Sequence, residues 1–474
     1  MRRDGLEETR ASDADGDGRA DGKVAITGAS PGVSAVSASI ASYQEPVAGR
    51  RARHAGYVVV ILFIAHVLGY LDRMAMAVLL PDIKRDLSLS DVQLGLLTGI
   101  AFTASYALLG IPVARFADRG NRRNVIGVAV VVWSLMTAAS GAVSGFAQLF
   151  AARIGVGAGE AGCIPPAHSM ISDLTEGKRR VRALSFYTTG MPIGALLGLG
   201  LGGWLADAIG WRETFFLLGA IGLVLAAVIW LTVAEPQRAG STVAPGSTRL
   251  SADLGKLFRQ RSYVYLLGGL AFAGFAQTGL VQWLPSYFSR THGLPVREIG
   301  VAFGFAYGAG SMCGILLGGF VSANFARDER FTLWMATAAY VIAFPILLTS
   351  ILTTSFTLAM VCAFVAFVVL TTPFGPVYAL VQAIVASRLR ALAVSFTLFA
   401  SNLIGAGLGP VVIGAVSDAA RAHGAANPLQ AGVLCGMAMF PFPALLYLLG
   451  ARHVPPDLRR VRDEEMRADL VTGE

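Results

Sequence analysis

"VVVILFIAHVLGYLDRMAMAVLLP", residues 58–81, is apolar apart from His66 and the adjacent pair Asp72 and Arg73. At 1.5 Å per residue such a run crosses a hydrocarbon layer roughly 30 Å thick. A charged side chain at that depth costs about 2.5 kcal/mol or more, so it persists where it has a partner or a task. The stretch therefore reads as a membrane-spanning helix, and its acid and base mark where function is to be sought.

The rest of the chain has the same character. Of 474 residues, 54% are hydrophobic and 14% charged, against roughly 25% charged in a soluble domain. Mean hydropathy is +0.61. The 55 glycines suit close packing of helices in lipid. The net charge of +8 does not call for nucleic acid, because membrane proteins gather Lys and Arg on the cytoplasmic side. Cys163, Cys313, Cys362 and Cys435 lie scattered in apolar stretches without metal or redox spacing and read as small packing residues.

Twelve apolar runs follow one another: 56–80, 91–114, 124–146, 148–171, 182–206, 213–234, 263–288, 298–323, 331–352, 356–380, 391–417 and 429–450. The expected fold is an all-α membrane protein with twelve transmembrane helices. Its six-helix halves span 56–235 and 263–452, joined by a polar cytoplasmic linker at 236–262. Residues 1–52, rich in Asp, Gly, Ser and Ala, read as a disordered cytoplasmic tail, and 453–474 as a second tail. With the N-terminus inside, only Lys84, Arg85, Arg212, Arg290, Arg297 and Arg421 fall outside. Arg73 and Arg153 are within helices, and the other 30 of 38 Lys and Arg are cytoplasmic. A multi-pass protein of the inner (plasma) membrane with both termini inside is expected.

The halves echo each other. "RVRALSF" (180–186) opens helix 5 and "RLRALAV" (388–394) opens helix 11, while "GWLAD" (203–207) and "GAVSD" (414–418) close them. Two matches in register indicate a duplication about an axis along the membrane normal.

Four strong charges lie well inside helices: Asp72, Arg73, Arg153 and Glu160. Arg153 and Glu160 are two turns apart on one face of helix 4. Counted from the helix ends, Asp72 lies between them in depth, so the four can neutralise one another if helices 1 and 4 meet. A static cluster of that kind is one reading. A titrating site is the other, because buried acids beside movable bases make a proton switch. Glu160, the deeper acid, is expected to carry the proton, and Asp72 to orient Arg73. Arg73 and Arg153 are expected to hold an anionic head group, with His66, Tyr106, Gln277, Tyr307, Tyr378 and Asn402 lining the cavity. His168, Gln282 and Gln382 are further intramembrane polar residues. Asp118, Arg119, Arg122 and Arg123, at the cytoplasmic surface between helices 2 and 3, read as a gate that clamps the two halves on the inside. Arg327, Asp328 and Arg330 form its weaker counterpart.

"ARFADRGNRR" (114–123), with its decayed copy "GGFVSANFARDER" (318–330), resembles the loop signature of the major facilitator superfamily. Asp118, Arg119, Arg122 and Arg123 match that signature; Ala114 and Asn121 stand where it has Gly. "GMPIGALLGLGLGG" (190–203) is similar to the family's antiporter signature, and the resemblance spans roughly 56–452. "GYLDR" (69–73), "RIGVGAGEAG" (153–162) and "NLIGAGLGPVVIGAVSD" (402–418) resemble the Spinster-like group. The resemblance implies helices 1, 4, 7 and 10 around a central cavity. It also implies that Asp72, Arg73, Arg153 and Glu160 serve proton coupling and substrate binding. The group is associated with sphingoid phosphates and lysophospholipids, and related branches with aromatic and sugar acids.

The function expected is secondary active transport of a small anionic or amphipathic organic solute, a lysolipid or organic acid, coupled to protons. A facilitative uniporter or a transporter-like sensor is the alternative. No metal spacing, nucleophile motif or nucleotide loop points to an enzyme. The expected partners are the solute, protons and the bilayer, with no cofactor, no nucleic acid and a monomeric state.

Overall fold

A computed structural model describes residues 31–236, 250–326 and 328–472. Side chains at 31–53, 111, 114, 118, 119, 250–252, 388, 391 and 467–472 lie outside the described residues. Contacts divide the chain at His54 and Ala55. Of the tail expected at 1–52, residues 1–30 lie outside the described residues, and 31–53 are helical in backbone.

Among the described residues, eleven helices are long and apolar enough to cross a membrane. They are helix 1 (His54–Leu87), helix 2 (Asp91–Ala117), helix 3 (Arg122–Gly141), helix 5 (Gly177–Ile209), helix 6 (Trp211–Thr232), helix 7 (Arg261–His292), helix 8 (Val296–Phe325), helix 9 (Phe331–Leu352), helix 10 (Phe356–Ala383), helix 11 (Leu392–Ala422) and helix 12 (Pro428–Ala451). Helix 4 completes the twelve in two pieces, Phe146–Glu160 and Ile164–Leu174. The sequence suggests one unbroken run at 148–171. Gly162, Pro165 and Pro166 interrupt it, since proline supplies no amide hydrogen to the preceding turn. Glu160 is thus the last residue before a break.

Within each half short turns join the spans, so successive helices run antiparallel. The end of the bundle where helix 1 begins is called near, and the opposite end far. Side chains facing outward are apolar, with Leu108, Val224, Leu231 and Leu316 all well exposed, as a lipid-facing surface requires.

The glycine ladder on helix 5 lies against helix 1. A Cβ on Gly190 would meet His66, one on Gly194 would meet Tyr70, and one on Gly202 would meet Ala75. On Gly198 it would come within 2.8 Å of Met74 Cβ and 2.9 Å of Leu71 Cα. Gly198→Ala is therefore expected to destabilise the bundle by about 1–3 kcal/mol through overpacking, read as a lower Tm of the detergent-solubilised protein.

The repeat is visible in three dimensions. At the far end Gly203 of helix 5 packs on the start of helix 8, its Cβ position 2.8 Å from Val296 O and 3.3 Å from Gly300 Cα. Gly414 of helix 11 packs in the same way on Asp91 at the start of helix 2. The two crossings join the halves and place "GWLAD" and "GAVSD" in equivalent positions.

Two segments read as polar connectors contain docked helices. Leu250–Arg259 in the linker sets Leu254 and Leu257 into the larger apolar core, to which both halves contribute; residues 237–249 lie outside the described residues. Val454–Thr472 is a helix that buries Val454, Leu458 and Val461, spaced i, i+4, i+7, where the sequence suggests only a tail. Its Asp457 accepts from Ser262 N at 3.1 Å, and its Glu465 accepts from Arg390 at 3.0 Å.

Candidate functional site

The four intramembrane charges meet, and they pair crosswise. Arg73 Nε donates to Glu160 Oε2 at 2.7 Å, and Arg73 Nη2 lies 2.5 Å from the same oxygen. Arg153 Nη1 donates to Asp72 Oδ2 at 3.4 Å. Each pair joins helix 1 to helix 4. Asp72 therefore pairs with Arg153 and does not orient Arg73 as expected. Consecutive residues on a helix point about 100° apart, which sends the two side chains of helix 1 to different turns of helix 4. The Arg73 guanidinium lies over Phe102 at 4.2 Å and beside Tyr70 and Tyr106, each at 5.0 Å. Those ring faces add an attraction of about 0.5–2 kcal/mol to a desolvated cation.

The two pairs differ in setting. Arg73 is 17% exposed, whereas Arg153 is 2% exposed and Asp72 and Glu160 are buried. Asp72 Oδ1, Arg153 Nε and Glu160 Oε1 have no hydrogen-bond partner. Arg73 is also part of the wall of a central cavity of about 310 Å³. Both halves contribute to that wall, and Arg73 is its one charged residue among the described residues. Gln277, Tyr307, Tyr378 and Asn402 line the cavity as the sequence suggests. Gln277 Nε2 donates to Tyr340 OH at 2.6 Å, and Asn402 Nδ2 donates to Leu398 O at 2.8 Å. Tyr307 and Asn402 sit in single π-helical stretches, Phe305–Ala309 and Ser401–Ala406, irregularities that often mark working sites in helices.

Other expected lining residues lie elsewhere. Tyr106 is under the Arg73 guanidinium, outside the cavity wall. His66 and Glu160 border a separate small cavity, and Arg153 is buried behind helix 1. Helix 4 does not reach the cavity wall. Helices 1, 7 and 10 do, joined by residues of helices 2, 5, 8, 9, 11 and 12, among them Thr98, Thr103 and Tyr447.

The expected cytoplasmic gate is built differently. Arg122 is buried and bonds Asp173 (2.5 Å), Glu235 (2.8 Å), Ser169 (2.8 Å) and Pro236 O (3.0 Å). Arg123 N donates to Glu235 Oε2 at 2.8 Å. These partners belong to the first half or, for Pro236, to the first residue of the linker, so Arg122 and Arg123 brace the near ends of helices 3, 4 and 6 and do not clamp the halves. The side chains of Asp118 and Arg119 lie outside the described residues. In the second half, Asp328 Oδ1 accepts from Arg330 N at 2.7 Å, and Arg327 lies outside the described residues.

The clamp between halves is at the far end. The fully buried Asp91 carboxylate is paired with Lys84 of the first half. It also binds three groups of the second half: Arg290 (3.2 Å), Arg421 (2.8 Å) and Ser417 Oγ (2.7 Å). Asp418 in turn caps helix 2, accepting from Asp91 N at 3.1 Å and Val92 N at 2.7 Å, where the helix end favours a negative charge. Two traces in the sequence lead there. Ser90-x-x-Gln93 is a capping box that announces the start of helix 2, and "GAVSD" ends on Ser417 and Asp418.

Twelve spans in two repeat-related halves, closed around a cavity that both halves wall, define a membrane transporter. The chain belongs to the Major Facilitator Superfamily, whose sequence profile matches residues 62–410. It is 32% identical over 400 residues to an MFS-type efflux pump of Mycolicibacterium smegmatis, covering 84% of this chain and 91% of that one. It is 28% identical to a probable L-galactonate transporter of Escherichia coli, over 84% of this chain and 90% of the other. A crystal structure of a bacterial homolog to the human lysosomal transporter Spinster, inward-facing and unoccupied, superposes with a TM-score of 0.78 at 31% identity, covering 85% of this chain and 98% of that one.

Proposed function

We propose that this transporter moves a small organic anion with an apolar portion by alternating access, driven by protons, with Arg73 as the anion site and Glu160 as the proton site. One observation carries the reading: the single charged residue in the cavity wall is ion-paired with a buried carboxylate behind it. A solute anion and the Glu160 carboxylate compete for one guanidinium, and a proton on Glu160 removes the competitor. The aromatic and aliphatic wall suits the apolar part of a sugar acid, an organic acid or a lysolipid, and about 310 Å³ is at the small end of ligand sites. The likeness to a probable L-galactonate transporter supports an anionic solute. With the near end cytoplasmic, as the Lys and Arg count indicates, the Asp91 clamp closes the outside in an inward-facing arrangement, the state named for the Spinster homolog.

The test is uptake into proteoliposomes, with and without an imposed pH gradient, over a panel of sugar acids, organic acids and lysophospholipids preselected by thermal shift. Gradient-stimulated uptake of an anion is expected. No stimulation for any solute found to bind would refute the coupling. Arg73→Ala is expected to weaken anion binding by about 10- to 100-fold, the worth of a charged hydrogen bond, and to leave a neutral analogue unaffected.

A further inference from the structure

Arg73 and Tyr70 form a shared wall between the central cavity and a second, much smaller one of about 20 Å³. The small cavity is bordered by Gly69, His66 and Glu160. Its size is that of one water. Glu160 is 5% exposed; Oε2 is held by Arg73, and Oε1 has no partner. His66 Nδ1 lies 3.0 Å from Tyr187 O, and a carbonyl can only accept, so Nδ1 carries its hydrogen and Nε2 is the position that takes up a proton. Stacking on Tyr187, with ring centroids 4.5 Å apart, fixes the imidazole further. Cys163 and Ile164, at the helix break after Glu160, also border the small cavity. Gly69 supplies no side chain on the helix 1 side, and a Cβ there would be 3.6 Å from Glu160 Oε2.

We propose that this small cavity is a one-water proton-transfer site, in which His66 passes a proton to Glu160 on the side of Arg73 away from the solute. The inference rests on Glu160 as the proton site. In the step, the Nε2–H bond of a protonated His66 breaks as the water oxygen takes that proton. An O–H bond of the same water breaks as the carboxyl O–H of Glu160 forms. Imidazolium and carboxylate both become neutral, and Arg73 is left without its counter-ion. The other charged or titratable groups around the pair are Asp72, Tyr70 and Arg73 on helix 1, Tyr106 on helix 2, Arg153, Cys163 and His168 on helix 4, and Tyr187 on helix 5. Proton and solute thus reach the Arg73–Glu160 pair from opposite faces, and neither has to leave for the other to enter.

Gly69→Ala is the discriminating variant. Its methyl group occupies the small cavity at ordinary contact distance, and alanine is favoured over glycine within a helix, so the fold is retained. His66→Phe removes the donor and keeps an aromatic ring on Tyr187. The experiment follows the infrared carbonyl band of protonated Glu160 in nanodisc-reconstituted protein after a rapid pH drop, with the band assigned by its loss in Glu160→Gln. In both variants the band is expected to reach full amplitude at least about tenfold more slowly than in wild type, the scale of a lost proton-transfer group. An unchanged rate in either variant overturns the proposal while leaving Glu160 as the proton site. Absence of the band from wild type at every pH would overturn the proposed coupling and this route together.

Discussion

Glu160→Gln is expected to reduce pH-gradient-driven uptake to background, a loss of about 100-fold or more, while solute exchange at equal pH continues. Glutamine keeps the length and a carbonyl oxygen for Arg73 but cannot take up a proton. Arg73 then lacks a counter-ion, yet it remains over Phe102 at 4.2 Å and between two tyrosines, and its 17% exposure opens to the cavity. It is therefore the better prepared of the two buried bases to stand alone. The sign of the pH effect follows from the competition. In wild type, lowering the pH protonates Glu160, frees Arg73 and strengthens anion binding. In Glu160→Gln that dependence is expected to vanish, with affinity fixed near the low-pH level of wild type, measured by isothermal titration of the purified transporter with an anion from the panel. Asp72→Asn probes the other pair, whose Arg153 is in the wall of neither of the two cavities described and whose 3.4 Å contact is longer. If both variants retained full gradient-driven uptake, the acids would be structural supports and coupling would have to be sought elsewhere.

The sequence carries much of this arrangement because two of its signals are physically unambiguous. Runs of apolar residues of membrane length have one stable solution each, and charges inside them have few ways to be tolerated. Asp72, Arg73, Arg153 and Glu160 were accordingly legible, whereas the meeting of helices 1 and 4 entered only as the condition for their neutralising one another, a condition the structure meets. Their pairing was not legible, because it depends on where adjacent residues of helix 1 point and on how far a guanidinium reaches. The gate shows a similar limit. Counting charges at 118–123 locates a cluster at the membrane surface, but only packing decides whether its acids come from the same half, as Asp173 and Glu235 do, or from the other. Asp91 was passed over for a related reason. At the edge of an apolar run an acid looks like a solvated boundary residue, and its partners Arg290 and Arg421 are about 200 and 330 positions away. Even the Lys and Arg residues on the far side gain meaning from it. Lys84, Arg290 and Arg421, which fall outside in the expected orientation, are each paired with this buried acid.

That clamp supplies the second large effect. Asp91→Asn is expected to shift the transporter away from the state closed at the far end by about 10- to 100-fold in population. The carboxylate is fully buried and answers Lys84 from its own half and Arg290, Arg421 and Ser417 from the other. Its removal leaves three cations confined together in the closed state, whereas separation of the halves returns each to water. The penalty therefore falls on one state only, which is the condition for a population shift. Breaking a fully buried pair costs about 3–5 kcal/mol. Here Lys84 is 20%, Arg290 26% and Arg421 47% exposed, so solvent screens part of that and about 1–3 kcal/mol is a fitting scale. Spin labels at Ser88 in the first half and Ala425 in the second, both exposed at the far end, report the separation. Wild type should give mainly one short distance, and Asp91→Asn a second, longer population that grows at low ionic strength as the cations repel more strongly. An unchanged distance distribution would mean that the close glycine crossings at Gly203 and Gly414 hold the far end shut by packing alone, with the charges as passengers.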